Sequence, residues 1–347
     1  MSENKIIKDD IISFANSFDL YNHLKNKSIL ITGITGLIGS ITAKCLNELN
    51  EKYDLNITIY GVVRDLEKAH KIFKDICGIN FICIELDQIN ELLIKVDYII
   101  HYACPTESKY FIEHPIDVYN IITKGTETVL NYANSIKASS VVYVSSIESY
   151  GIVSVDSGII DEQYQGYIDP LSVRSSYSLG KRSAEFISYS YYAQYSTPVK
   201  IARLTQTFGA GVSWSDNRIF AQLAKSVILN NDIILHTMGL SSKSYCYTTD
   251  AVSAILYILV KGDDGNAYNV TNPDTYISVR EMAEIVKTNF EPNINIKIEI
   301  DETKGYAPDT YLNLDITKLQ KLGWSPKINL KTMYRRLIDY YKTNDYY

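Results

Sequence analysis

Between residues 27 and 208, short apolar runs alternate with longer stretches whose apolar positions recur every three to four residues. The short runs are "SILIT", "ITIYGVV", "NFICIEL", "DYIIHYA", "SVVYVSS" and "VKIARLTQTF". They are rich in Val and Ile and barely alternate with polar residues, as strands buried on both faces do. The intervening stretches, among them 39–49, 115–137 and 177–195, carry helical spacing. Strand–helix alternation of this kind predicts βαβ units and an α/β fold, a doubly wound parallel sheet with helices on both faces.

After residue 208 the pattern changes. "NRIFAQLAKSVILN", "AVSAILYILV", "VREMAEIVKTNF" and "ITKLQKLG" predict helices, "NIKIEI" a strand, and "DIILHTMGLSSKSYCYTTD" a strand, turn and strand. A smaller α/β domain over 209–347 is expected to close over the first, at 27–208, with part of 232–262 returning to it. Residues 1–26 predict a helical extension packed outside the sheet.

Length and charge narrow the possibilities. A chain of 347 residues exceeds one compact core and fits about two domains. A net charge of −6 disfavours nucleic acid as a partner, because phosphate binding needs clustered Lys and Arg. The polar, acidic start "MSENKIIKDDIISF" does not resemble a signal peptide. No apolar run approaches the ~18 residues of a membrane span. The five cysteines form no C-x-x-C pair and the five histidines are dispersed, so a reduced, cytoplasmic, metal-free protein is expected. The 29 tyrosines carry no functional weight on their own.

Gly33, Gly36 and Gly39 form T-G-x-x-G-x-x-G between an apolar strand and a helical run. In that setting Gly33 takes the tight turn, Gly36 lets a pyrophosphate approach the backbone, and Gly39 allows close helix–strand packing. Thr35 lies in the loop, and the N–H groups at the helix start, around Leu37 and Ile38, point at the anion. A dinucleotide site is therefore expected. At the end of the second strand, Arg64 is followed at once by Asp65. An arginine there meets the 2′-phosphate of NADP or stacks on adenine, whereas a carboxylate disfavours the phosphate. Asp87, after the third strand, is a candidate adenine contact.

Tyr177 and Lys181 form Y-x-x-x-K, which places both side chains on one helix face. A neighbouring ammonium favours the phenolate that an acid–base tyrosine needs near neutral pH. The fifth strand ends in "VVYVSSIESYG", and strand C-termini line the ligand crevice of doubly wound sheets. There Ser146 is placed to hydrogen-bond a substrate hydroxyl or carbonyl, and Glu148 to point into the same crevice. Glycine loop, strand-end serine, tyrosine and lysine follow in that order, and the conjunction carries the inference.

With "TGITGLIG", "HYACP", "VSSIESYG", "YSLGK", "ARLTQTFGAG" and "SYCYTTDAV", the chain resembles the extended short-chain dehydrogenase/reductases of the nucleotide-sugar epimerase/dehydratase family over roughly 28–330. The resemblance implies a Rossmann domain for NAD(P) and a C-terminal nucleotide-sugar domain. It implies Tyr177 as base, Lys181 as its modulator and ribose ligand, and Ser146 as the hydroxyl partner. It adds Tyr102 and Ala103 to the cofactor contacts, and Pro105, Gln206 and Lys243 to the substrate contacts. It further implies oxidation of the sugar at C4, a cofactor recycled within one turnover and therefore NAD, with NADP left open, and a role in surface polysaccharide synthesis. A homodimer through the helices at 115–137 and 177–195 is also implied.

Departures from the family pattern bear on the reaction. The 4,6-dehydratases tend to carry Thr-Asp-Glu where this chain has Ser146-Ile147-Glu148, and Ile147 cannot protonate a leaving hydroxyl. "HYACP" and "YSLGKRSAE" look closest to the nucleotide-glucuronate decarboxylases. Lys243 stands where an Arg usually clamps the diphosphate, which keeps the charge and loses the bidentate fork. Gln206 replaces an Asn, Ile122 stands where an Asn is common with Asn120 nearby, and Lys304 lies where a second Arg is often seen. Oxidation at C4 followed by epimerisation or decarboxylation is the leading expectation. A 4,6-dehydratase with an atypical site, a net NADPH-dependent carbonyl reductase, and a non-catalytic cofactor-binding sensor are the alternatives.

Overall fold

The Val- and Ile-rich runs become strands buried along most of their length, except for Ile79–Cys83 at the sheet edge, which is half-buried to exposed. The computed structural model describes residues 4–301 and 309–344. In chain order the first half contains α1 (Lys5–Ser17), β1 (Ser28–Thr32), α2 (Leu37–Tyr53), β2 (Thr58–Val63), α3 (Leu66–Ile72), β3 (Ile79–Cys83), β4 (Tyr98–His101), α4 (Ser108–Glu113), α5 (Pro115–Ile136), β5 (Ser140–Ser146), β6 (Ile159–Ile160), α6 (Ser175–Tyr195), β7 (Val199–Leu204) and β8 (Gln206–Phe208). The second half adds α7 (Ile219–Leu229), β9 (Ile233–Leu235), β10 (Ser242–Tyr247), α8 (Thr248–Lys261), β11 (Ala267–Val270), β12 (Asn272–Ser278), α9 (Val279–Phe290), β13 (Ile296–Ile298), β14 (Tyr311–Leu314), α10 (Thr317–Gln320) and α11 (Leu330–Lys342).

Seven parallel strands form the main sheet in the order β11-β7-β5-β4-β1-β2-β3. Its helices cover both faces, α5 and α6 on one, α2 and α8 on the other. The chain reverses direction across the sheet between β1 and β4, the switch point at which such sheets bind ligands. Because all seven strands run the same way, their carboxyl ends meet along one edge. Local sequence starts two of the helices. Pro115 opens α5 at its first turn, where its missing N–H is no loss, and the Asp65 side chain caps α3 by accepting from Lys68 N at 2.9 Å.

A second sheet has the order β12-β10-β14-β6, with β8 also paired to β10. A separate parallel pair joins β13 to β9. Ile147, Tyr150, Val153, Ile160, Leu312 and Leu314 form a small apolar cluster of their own. Helix α1 packs outside the main sheet against α2, α8 and α11.

Two expectations need correction. "VKIARLTQTF" is not one strand. It breaks at Thr205, whose hydroxyl donates to the Ser244 carbonyl and whose N–H donates to Val270 O, so β7 stays in the main sheet and β8 enters the second. The return to the first sheet also extends past residue 262. Helix α8 packs on β5 and β7, and β11 pairs with β7 from Ala267↔Ile201 to Val270↔Leu204.

Candidate active site

The glycine loop sits at the switch point, between the ends of β1 and β4. Gly33 has φ +68°, and a Cβ there would lie 2.8 Å from Ala103 N. Gly39 is as constrained, since its Cβ would lie 2.4 Å from Gly33 O. Gly36 caps α2 and is exposed. A Cβ at Gly36 would meet only Gly33 O, at 3.2 Å, so its outer side is open to a close approach. Behind it the first-turn amides of Leu37, Ile38 and Gly39 begin α2, where a helix has no carbonyls of its own to offer. Thr35 is half-buried in the turn. This cradle, positive at the helix end and stripped of side chains, fits the pyrophosphate of a dinucleotide.

The β4 end holds the loop from the other side. Ala103 N donates to Thr32 Oγ1 at 3.3 Å and Tyr102 N to Thr32 O at 3.2 Å. The Tyr102 hydroxyl meets Thr42 Oγ1 of α2 at 2.7 Å, and its backbone lies against Gly33. Buried His101 meets Thr32 Oγ1 at 2.7 Å through Nδ1. Burial, with Lys181 adding to it, lowers His101 to about 3, so the imidazole is neutral. Arg64 is exposed at the end of β2, and Asp87 is exposed in the 3-10 turn after β3.

At the β5 end the expected catalytic residues come together. Helix α6 crosses β5, and Lys181 Nζ donates to Val144 O at 2.8 Å while lying 5.8 Å from the centre of the Tyr177 ring. Lys181 is buried. The Ser146 hydroxyl stands beside the Tyr177 phenol and favours its ionised form. Ser146 Oγ also accepts from Glu148 N at 3.2 Å and so caps the 3-10 turn Ile147–Tyr150. The capping role and the site role are held by one hydroxyl. Glu148 is exposed, whereas Ile147 turns away into the small apolar cluster.

Burial pushes the Tyr177 phenol well above its ordinary value. The Cys104 thiol and Glu148 add to the rise, while the Ser146 hydroxyl and Arg218 oppose it. Neither Cys104 nor Arg218 was picked out from the sequence. Cys104 follows β4, bonds to Pro105 O at 3.1 Å and reaches both Lys181 and Tyr177. Burial raises it too, so it stands there as a neutral thiol. Arg218 precedes α7 and is held by Asp216 through Nε at 3.1 Å to each carboxylate oxygen. Nothing in "SDNRIF" marks that arginine, because its reach to Tyr177 depends on the second half folding over the first. Phe111 of α4 stacks on the Tyr177 ring, with centroids 4.5 Å apart and planes 12° from parallel.

The candidate substrate residues are spread more widely. Pro105 is half-buried beside Cys104. Gln206 lies on β8, its Oε1 buried without a hydrogen-bond partner. Lys243 is half-buried on β10, opposite Ile277 and beside Leu312. Ile122 is in the core of α5 beneath Gly180, so it presents no polar group there. Lys304 lies outside the described residues.

The NAD dependent epimerase/dehydratase family matches this sequence over residues 29–271. The chain belongs to the NAD-dependent epimerase/dehydratase family. Within that family it is 31% identical over 314 residues to UDP-glucuronic acid decarboxylase 5 of Arabidopsis thaliana, covering 88% of this chain and 86% of the relative. Its fold is similar to that of epimerase Mth375 from Methanothermobacter thermautotrophicus, with a TM-score of 0.78 at 18% identity over 99% and 97% of the two chains. It is also similar to the dTDP-glucose 4,6-dehydratase DesIV of Streptomyces venezuelae, with a TM-score of 0.77 at 20% identity over 91% and 97%. As in other α/β proteins, the family's sheet brings its chemistry to the carboxyl edge. Among the described residues no helix is long and apolar enough to cross a membrane.

Proposed function

We propose that this protein oxidises a nucleotide-linked uronic acid at C4 and removes its carboxylate as CO2. The observation that carries this is the β5 end: Tyr177, Lys181 and Ser146 converge there, Glu148 stands exposed beside them, and Ile147 is turned into the core. A 4,6-dehydratase needs an acid at the position that Ile147 holds, and a buried alkyl group supplies none. The similarity to UDP-glucuronic acid decarboxylases supports the same choice.

The cradle of Gly33, Thr35, Gly36, Leu37, Ile38 and Gly39, with Tyr102, Ala103 and Lys181, would hold NAD. Bound there, NAD supplies a hydride acceptor for C4 and a positive ring that draws Tyr177 toward its phenolate. Tyr177 then takes the proton of the C4 hydroxyl, and Ser146 holds the oxygen by hydrogen bond. A ketone at C4 makes the substrate a β-keto acid. As the bond to the carboxyl carbon breaks, its electron pair flows into the C4 oxygen, where the Tyr177 hydroxyl and Ser146 stabilise the developing enolate. NAD rather than NADP follows from α3. Asp65 is occupied as a cap, so it does not read the ribose, but its charge stands next to Arg64 and weakens that residue as a phosphate site.

Lys243 and Gln206 are assigned to the nucleotide diphosphate and sugar. Five cysteines without a disulfide support a cytoplasmic setting. A homodimer is assigned to the outer faces of α5 and α6, where Ile116, Phe186 and Tyr189 are exposed at 71%, 71% and 52%. Apolar surface of this extent on two adjacent helices marks a contact face.

Mass spectrometry and NMR of products, after incubation of the NAD-loaded enzyme with UDP-glucuronic acid, test the assignment. Loss of CO2 is expected. Loss of water would reassign the enzyme as a dehydratase, and an isomer of unchanged mass as an epimerase. Tyr177→Phe is expected to lower kcat by about 10²–10⁴ with NAD still bound.

A further inference from the structure

Behind Tyr177 and Lys181, on the same face of α6, lies a buried ion pair that the proposed chemistry does not use. Glu185 follows Lys181 by four residues, as Lys181 follows Tyr177, so the three form one stripe along the helix. Arg203, at the end of β7, holds Glu185 with Nε at 3.1 Å from both carboxylate oxygens and Nη2 at 2.7 Å from Oε2. Ser145 is the strand neighbour of Arg203 and donates to Glu185 Oε1 at 2.5 Å. All three are buried. The stripe therefore meets three consecutive residues of β5: Glu185 binds the Ser145 hydroxyl, Lys181 binds the Val144 carbonyl, and Tyr177 stands beside the Ser146 hydroxyl.

Arg203 also reaches the other half of the molecule. Its Nη1 donates to Glu162 O at 2.6 Å, and its guanidinium lies 4.7 Å from the centre of the Tyr150 ring. Tyr150 donates to Asn269 Oδ1 at 2.7 Å, and Asn269 N donates to Glu162 Oε1 at 2.8 Å. Asn269 Nδ2 donates to Asp315 O at 2.9 Å, just past β14 of the second sheet. Tyr150 ends the same 3-10 turn that Ser146 caps. One guanidinium thus ties the catalytic helix, the strand that ends in Ser146 and the turn that carries Glu148. A bare ion pair taken out of water gains little over apolar packing, but a bidentate fork fixes geometry as well as energy. A helix locked at Glu185 can neither roll nor slide on β5 without breaking the fork.

We propose that Glu185, Arg203 and Ser145 are positioning residues that set the rotation and height of α6 on β5, and through them the Tyr177–Ser146 contact. This rests on the assignment of Tyr177 as the acid–base group. The groups that face Tyr177 are Cys104 after β4, Tyr143 and Ser146 of β5, Glu148 after it, Lys181 of α6, Arg218 before α7, and the Phe111 ring of α4. Two substitutions disturb the lock without changing any of those groups or any net charge. Ser145→Ala removes one hydrogen bond, and Arg203→Lys keeps the cation while losing the fork.

The experiment measures the ionisation of Tyr177 in the NAD-loaded full-length protein, as the phenolate absorbance of each protein minus that of its Tyr177→Phe counterpart. It needs no substrate. Both variants are expected to titrate about one unit higher than the parent, because a loosened Ser146 contact no longer favours the phenolate. With UDP-glucuronic acid as probe, kcat is expected to fall about tenfold while KM moves less than about threefold. A lowered melting temperature with unchanged Tyr177 ionisation would make the network merely structural and overturn the proposal. If Arg203→Lys fails to fold, Ser145→Ala decides alone. A parent enzyme inactive on UDP-glucuronic acid would sink the substrate assignment and leave the titration to judge the lock.

Discussion

His101 shows how far a single side chain's surroundings govern its chemistry here. It is sealed between Thr32 and Thr126, within reach of the Lys181 charge, and burial holds it neutral down to about pH 3. Unfolded, the same imidazole takes up a proton near pH 6.5. The folded value is the lower one, so its contribution to stability is complete above about pH 6.5 and is lost as the pH falls toward 3. The slope for one such proton is about 1.4 kcal/mol per pH unit. Urea unfolding at about pH 7 and about pH 5 is expected to show His101→Gln losing roughly 1–2 kcal/mol less over that interval than the parent; equal losses would mean that His101 is solvated. Much at this scale could be read from the chain alone. Tyr177, Lys181 and Ser146 were legible because their spacing and their place at a strand end are both local. Asp65 is read from the sequence only as disfavouring a 2′-phosphate, and its carboxylate also caps α3, a role that a strand-end position does not reveal. Cys104 and Arg218 stayed hidden because each acts on Tyr177 only once the chain has folded.

The elements of the first half were legible for a related reason. A strand buried on both faces must be apolar throughout, and β1, β2, β4 and β5 follow their runs to within a residue or two. The break between β7 and β8 was not legible. Thr205 is a good strand residue and only its partners, Ser244 and Val270, force the turn. Strands β6, β12 and β14 are short or begin with poor strand formers and gave no signal of their own. The glycine loop allows a sharp comparison between two substitutions. Alanine ordinarily favours a helix over glycine by about 1 kcal/mol, yet at Gly39 its methyl would lie 2.4 Å from Gly33 O, so the turn must move. Gly39→Ala is expected to lower the melting temperature and to weaken NAD binding at least about tenfold, a change of about 1.4 kcal/mol. Asp65→Ala should cost about 1 kcal/mol of stability through the lost cap and leave NAD affinity near that of the parent. Calorimetric titration with NAD separates the two; similar affinities in both would remove the cradle from Gly39.

At the scale of the molecule, the outer faces of α5 and α6 explain part of the tyrosine content. Tyr119 of α5 and Tyr189, Tyr192 and Tyr195 of α6 are all exposed, as is Phe186. Tyrosine suits such a face, since its ring is apolar and its hydroxyl tolerates water. Phe186→Glu would place a charge in the middle of that surface. Sedimentation equilibrium is expected to show the parent as a dimer and this variant shifted toward monomer, with secondary structure unchanged. A parent that sediments as a monomer would end the assignment of this face.

The same crossings that blurred the domain boundary have a mechanical meaning. Besides the excursion through β6, the chain passes between the two sheets at Thr205, at Tyr247 where β10 runs straight into α8, and at Thr271 between β11 and β12. All three points are buried, and none is a free linker. A clamshell swing of one half against the other would distort these three buried junctions at once, where a hinge needs a few loop residues able to absorb the change. Opening and closing over a nucleotide sugar are therefore left to the surface segments around the crevice, and the catalytic edge itself keeps its shape from one turnover to the next.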